Sequence, residues 1–159
     1  MKRASFLLSL LSALLIFNCS GKKDQTDSFD ITKSKPGTET AVKASERVDL
    51  ENKGVGPITE LVLPEEIDQE MAKTGEGIFK QSCAICHRPT DKFIGPAPKG
   101  VLDRRSPEWV MNMILNPGRM LRDDPLAKDL FMEFNGSPMS DMGLSEEQAR
   151  AVLEYFRTI

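Results

Sequence analysis

The residues best suited to chemistry occupy five consecutive positions, Cys83-Ala84-Ile85-Cys86-His87. Two cysteines three apart stand about one helical turn from each other, and an imidazole follows at once. Sulfurs at that separation can reach the two vinyl groups of one porphyrin. The histidine can then approach the iron from one face. C-x-x-C-H is accordingly the attachment signature of a covalent haem. Other uses of these residue types fit less well. A structural zinc site needs four ligands, yet outside this motif the chain has only Cys19 and no further His. A thioredoxin-like pair would sit in a βαβ unit. A plain Cys83–Cys86 disulfide would leave His87 unexplained. The expected cofactor is one haem c, joined through Cys83 and Cys86, with His87 on the iron.

The composition bounds the rest. A chain of 159 residues that is 40% hydrophobic and 6% aromatic supports one modest core and excludes a multi-span membrane protein. With 21 Lys and Arg against 24 Asp and Glu, the net charge is -3. That balance argues against a nucleic-acid partner. Three Cys cannot build a disulfide scaffold.

The elements that must position the motif read as helices. Apolar residues at Ile67, Met71, Ile78 and Phe79 predict a helix over 67–81. Ser106-Pro107 starts a second, which should stop before Asn116-Pro117. Asp124-Pro125 starts a third, closed by Asn135-Gly136. Ser145-Glu146-Glu147-Gln148 is a capping box that opens a last helix with Ala149, Val152, Leu153 and Phe156 on one face. No stretch alternates as a strand would. The expected fold class is all-α.

Upstream, Lys2 and Arg3 precede the apolar run from Phe6 to Phe17. At 12 residues the run is too short for a membrane span of about 20 and suits a signal peptide over 1–18. Cys19 follows directly and resembles the lipobox cysteine of bacterial lipoproteins, although Phe17 and Asn18 are bulkier than the small residues usual there. That resemblance implies a lipid on Cys19; the alternative is an ordinary signal with Cys19 incidental. Residues 19–54 are expected to be a disordered tether, because too few apolar side chains are available to offset ordering. Such a coil would span about 30 Å. The folded domain is expected over 55–159. It carries 12 basic and 17 acidic residues.

From the C-x-x-C-H motif outward the chain resembles class I cytochromes c, over roughly Asp68 to Ile159. Gly75 and Phe79 stand where that family's first helix meets its last, with Val152, Tyr155 and Phe156 as the partners implied here. Gly95-Pro96 matches the family's Gly-Pro, whose carbonyl accepts a bond from the iron-bound imidazole. The resemblance also implies an axial methionine in the loop before the last helix. Met139, five residues before Leu144, fits that place, and Met142 is the less favoured choice. Met71, Met111, Met113, Met120 and Met132 read as ordinary helical methionines. Arg104, Arg105 and Trp109 lie where related proteins place donors to the haem propionates, with Arg104 and Trp109 preferred.

The implied function is one-electron transfer through a His/Met haem, not enzymatic bond chemistry. The partners would be a respiratory donor and acceptor at the periplasmic side of a bacterial envelope, with the domain working as a monomer. The stretches GVGPITE, GPAPKGVLDRRSPEW, MNMILNPGRM and DPLAKDL are similar to a group of lipid-anchored cytochromes associated with nitrous-oxide respiration. That similarity implies a periplasmic copper reductase, such as nitrous-oxide reductase, as acceptor. The rival readings are a haem-based gas sensor and a haem subunit of a larger respiratory complex.

Overall fold

The computed structural model describes residues 42–159. The expected signal peptide, Cys19 and the tether up to residue 41 lie outside the described residues.

Local capping chemistry explains most helix ends. Helix α1, Gln69–Ile78, starts at Asp68, whose carboxylate accepts the backbone N–H groups of Glu70 and Met71. The helix then widens into a π-helical turn, Phe79–Cys83, closed by the Ala84 N–H bonding to the Phe79 carbonyl at 3.0 Å. Helix α2, Pro107–Leu115, and helix α4, Pro125–Glu133, start at the expected Ser106 and Asp124 caps. Asn116-Pro117, expected only as a stop, also begins α3, Pro117–Asp123. Its Asn116 side chain caps the Arg119 N–H. The same proline that ends one helix is pre-set for the first position of the next. Left-handed Asn135 and Gly136 terminate α4, and the complete Ser145–Gln148 capping box opens α5, Glu146–Phe156. Among the described residues there is no strand, only a single bridge between Asp49 and Arg105. The fold is all-α, as the sequence predicts.

Helices α1 and α5 cross in close contact. A Cβ at Gly75 would overlap the Ala151 carbonyl, so only glycine fits there. One turn further on, Phe79 is 2% exposed and packs against Tyr155 and Phe156, with ring centroids 5.5 and 5.9 Å away. The α5 face then joins α2 in one core built on Trp109, Met111, Ile114, Val152 and Leu153.

A clasp holds the ends of this helix pair. Glu154 is buried, accepts the Asp68 N–H at 2.8 Å, and forms ion pairs with Arg150 at 2.6 Å and Arg157 at 2.7 Å. Arg157 reaches back to the carbonyls of Pro64 and Glu65. Burial pushes the Glu154 carboxyl up. The Asp68 N–H and the two guanidinium groups outweigh that effect, and its pKa lies below the ordinary value.

The domain begins earlier than position 55. Residues 42–54, expected as part of the tether, belong to a strap, residues 42–61, that runs over α2 and α4. The Ser45 N–H and hydroxyl donate to Glu133 at 2.8 and 2.6 Å. The Asn52 amide donates to Asp124 at 2.7 Å, and the Asn52 carbonyl accepts the Ser106 hydroxyl. Asn112, fully buried, accepts the Ile58 N–H and donates to the carbonyls of Lys53 and Ile58. The expectation failed because it weighed apolar content alone. Ala44 and Ile58 are the buried apolar residues of this strap, and buried polar side chains on the helices supply the remaining order.

Two stability predictions follow from this packing. Gly75→Ala should destabilise the holoprotein by about 1–3 kcal/mol through overpacking. Gly77→Ala in the same helix, where a Cβ meets open space, should be neutral or stabilising by up to about 1 kcal/mol. Thermal unfolding compares the two. For Glu154 the depressed pKa means its contribution is complete above the ordinary carboxylate range. It is lost as pH falls through the lower folded value. Glu154→Gln should therefore cost about 3 kcal/mol at neutral pH, and its Tm deficit should shrink on acidification.

Candidate functional site

The π-helical turn delivers Cys83 from the end of α1. A tight turn follows, with the N–H groups of Cys86 and His87 both bonding to the Cys83 carbonyl at 3.1 and 3.0 Å. Cys83, Cys86 and His87 thus line one wall of the same cavity. The loop after them folds back, held by the Gly95 N–H on the Cys86 carbonyl at 2.9 Å. This brings Gly95-Pro96 against the imidazole. A Cβ at Gly95 would overlap His87 Cε1, so the ring position requires glycine.

His87 Nδ1 lies 2.8 Å from the Pro96 carbonyl oxygen. A carbonyl only accepts, so Nδ1 carries the proton and Nε2 keeps a free lone pair. That is the tautomer of a metal-ligating imidazole, with its orientation fixed by the carbonyl. Cys83 and Cys86 are not joined as a disulfide. Burial, and then the neighbouring Cys86, push the Cys83 thiol up. Among the described residues no three His, Cys, Asp or Glu side chains converge as a metal cage.

The facing walls are apolar and come from every later element. Phe79, Val152 and Phe156 stand on one side; Met113, Ile114, Leu121, Leu130, Phe131 and Phe134 line the others. Cysteine sulfurs, an oriented imidazole and broad apolar walls fit a covalently held flat macrocycle.

Of the seven methionines in the domain, three line this cavity: Met113, Met139 and Met142. Met139 is half-buried and packs against the core, whereas Met142 is 44% exposed. Met111 and Met120 are core residues, and the Met120 sulfur accepts the Val55 N–H at 3.0 Å. Met132 is exposed. Met113 was not singled out from the sequence, because its helical spacing matches a core position.

The candidate propionate donors separate. Arg104 and Arg105 both line the cavity. Arg104 is half-exposed and donates to the Lys99 carbonyl at 3.2 Å. Arg105 is buried and donates to the carbonyls of Ala44, Arg47 and Arg104. Trp109 presents its ring to the cavity, but its indole N–H donates to Asp124 at 3.2 Å. Trp109 therefore lines the cavity, as expected of a cofactor-contacting residue, while its N–H is bonded within the protein to the buried Asp124.

A small all-α domain with paired cysteines, a carbonyl-held histidine and an apolar cleft defines the covalent haem electron-transfer class. The chain belongs to the cytochrome c family, whose sequence model, "Cytochrome c", matches residues 72–159. It is similar to a cytochrome c from Rhodothermus marinus at 44% identity, covering 73% of this chain and 92% of that one, with a TM-score of 0.63. An engineered form of the Rhodothermus marinus protein matches at 42% identity over 73% of this chain and 93% of that one, again at TM-score 0.63. A cytochrome c domain from Pseudomonas putida matches at 32% identity over 53% and 85%, TM-score 0.50. No curated protein matches the chain. Membership of the family means that the chain carries covalent haem c and transfers electrons to and from redox partners.

One covalent group is expected per chain. Denatured protein should keep its haem through gel electrophoresis and stain for peroxidase activity, and Cys83→Ala with Cys86→Ala should abolish the stain. A stain retained by the double variant would place the attachment elsewhere.

Proposed function

We propose that this chain is a membrane-tethered, single-haem electron carrier at the periplasmic side of a bacterial envelope. In this reading Cys83 and Cys86 would hold the cofactor, His87 and Met139 would ligate its iron, and Cys19 would carry the lipid anchor. Bound haem c supplies a one-electron redox couple. The observation that carries the reading is the placement of His87, locked through Nδ1 on Pro96, in one cavity with the core-packed Met139.

The residues then do four things. His87 offers Nε2, and the Pro96 carbonyl makes that nitrogen a stronger electron donor. Met139 offers a thioether, and His/Met ligation favours a high potential. The apolar side chains of α2, α4 and α5 keep water from the cavity. Lys43, Lys92, Lys99 and Arg104 share a groove beside the cavity with Glu46 and Glu133. This groove supports a locally basic docking face on an otherwise acidic domain, suited to weak, salt-sensitive encounters.

The apolar run Phe6–Phe17 followed by Cys19 supports export and anchoring. A tether would raise the effective concentration of the domain near membrane-bound donors. The acceptor in this reading is a periplasmic reductase or oxidase. The stretches GVGPITE and GPAPKGVLDRRSPEW favour a copper reductase such as nitrous-oxide reductase.

Met139→Ala should remove the weak far-red sulfur-to-iron absorption band of the oxidised protein and lower the potential. Met142→Ala should leave both unchanged, and the reverse pattern would reassign the ligand. The carrier role is tested by stopped-flow oxidation of reduced protein with candidate acceptors, beside carbon monoxide addition to a separate reduced sample. Rapid oxidation without a carbon monoxide spectrum is expected, and prompt carbon monoxide binding would favour a sensor. In the same preparations wild type should partition into detergent, and Cys19→Ser should be released or keep its signal uncleaved.

A further inference from the structure

The strap precedes the span matched by the family, 72–159, and it closes around one buried cation. Arg105 is 3% exposed. Its guanidinium donates to the carbonyls of Ala44 and Arg47 in the strap, and to that of Arg104 at 2.8 Å. A guanidinium has five N–H donors. Three bonds are accounted for, so two donors have no acceptor among the described residues. No carboxylate there lies within ion-pair distance of it. The side chain lines the cavity, with its guanidinium carbon 5.4 Å from the Trp109 ring centroid.

A buried charge with no carboxylate at ion-pair distance is costly, and the more distant Asp49 and Asp124 offset only part of that cost. Burial, and then the neighbouring Arg104, push the Arg105 pKa down, in keeping with that cost. What holds the cation is carbonyl dipoles, and two of the three belong to the strap. A positive charge at the wall of a low-dielectric cavity favours whichever state of the enclosed group carries less positive charge. For a one-electron couple that is the reduced state.

We propose that the strap is a redox-tuning element, which by docking through Ala44 and Arg47 holds the Arg105 cation against the cavity wall and raises the reduction potential of the group bound there. Two other strap anchors lie away from the cavity. Asn52 bonds to Asp124 and Gly56 packs against Asn112, where a Cβ would overlap the amide. Neither Asn52 nor Gly56 lines the cavity. Loosening them frees the strap, and because Asp124 also holds the Trp109 indole N–H, the comparison in an Arg105→Gln background is what isolates the strap's part.

The test is spectroelectrochemical titration of full-length holoprotein, with thermal unfolding and visible spectra as controls for folding. Arg105→Gln should lower the potential by about 59 mV, a tenfold change in a one-electron equilibrium. Arg105→Lys, which keeps the charge, should recover most of the loss. Asn52→Ala with Gly56→Ala should produce part of the same downward shift, and should add nothing in the Arg105→Gln background. An unchanged potential in Arg105→Gln overturns the proposal. So does a strap variant that shifts Arg105→Gln as much as it shifts wild type. If Arg105→Gln does not fold, the strap variant decides alone: faster amide exchange over residues 44–52 with an unchanged potential overturns the proposal.

Discussion

The close crossing of α1 and α5 at Gly75 is the contact on which the remaining structure depends. With no Cβ in the way, the two backbones approach until the Ala151 carbonyl sits against Gly75. That approach puts Phe79 between Tyr155 and Phe156 and fixes where α1 ends. The π-helical turn begins at Phe79, so the direction in which Cys83 leaves the helix follows from the crossing. His87 is then one tight turn away, and the Gly95-Pro96 loop closes on its ring. A chain of short-range constraints thus runs from a helix crossing to the orientation of one imidazole.

Much of this was legible because it is local. Ser106-Pro107, Asp124-Pro125 and the Ser145–Gln148 box mark helix starts through bonds made within three residues. The C-x-x-C-H motif and Gly95-Pro96 are likewise local, and the structure brings them together as the sequence suggests. The π-helical turn was not legible, since one extra residue in a turn leaves no mark in composition. Helix α3 was missed because Asn116-Pro117 reads equally as a stop and a start. The N–H partner of Trp109, Asp124, was not legible, since it lies fifteen residues on and reads from the sequence only as a cap. Met113 could not be separated from core methionines, since a cavity wall has the same periodicity as a core.

The strap shows a different limit. Its order rests on Ser106, Glu108, Asn112 and Asp124, polar side chains buried on α2 and at the start of α4. Each satisfies backbone or side-chain groups of residues 45–61 that would otherwise be stranded. One signal was available: Asn112 sits between Met111 and Met113 in an apolar helix, where an amide is expensive unless it has distant partners. Reading it would have indicated a missing segment without naming which one. The polar latch also explains how so hydrophilic a stretch can be packed while burying little apolar surface.

The Gly75–Ala151 contact also bears on how the molecule assembles. It joins residues far apart in the chain and closes nearly the whole helical domain into one loop. Closing a flexible loop of that length costs about 4 kcal/mol beyond a constant term, and contacts of such long range slow folding. The two terminal helices gain little until the intervening segments are placed. Cysteines 83 and 86 lie just past α1, on the near side of this loop, so they are exposed while the far side is still unformed. Until the crossing closes, the far side of the loop covers nothing of the attachment segment; once it is closed, Val152 and Phe156 share its cavity.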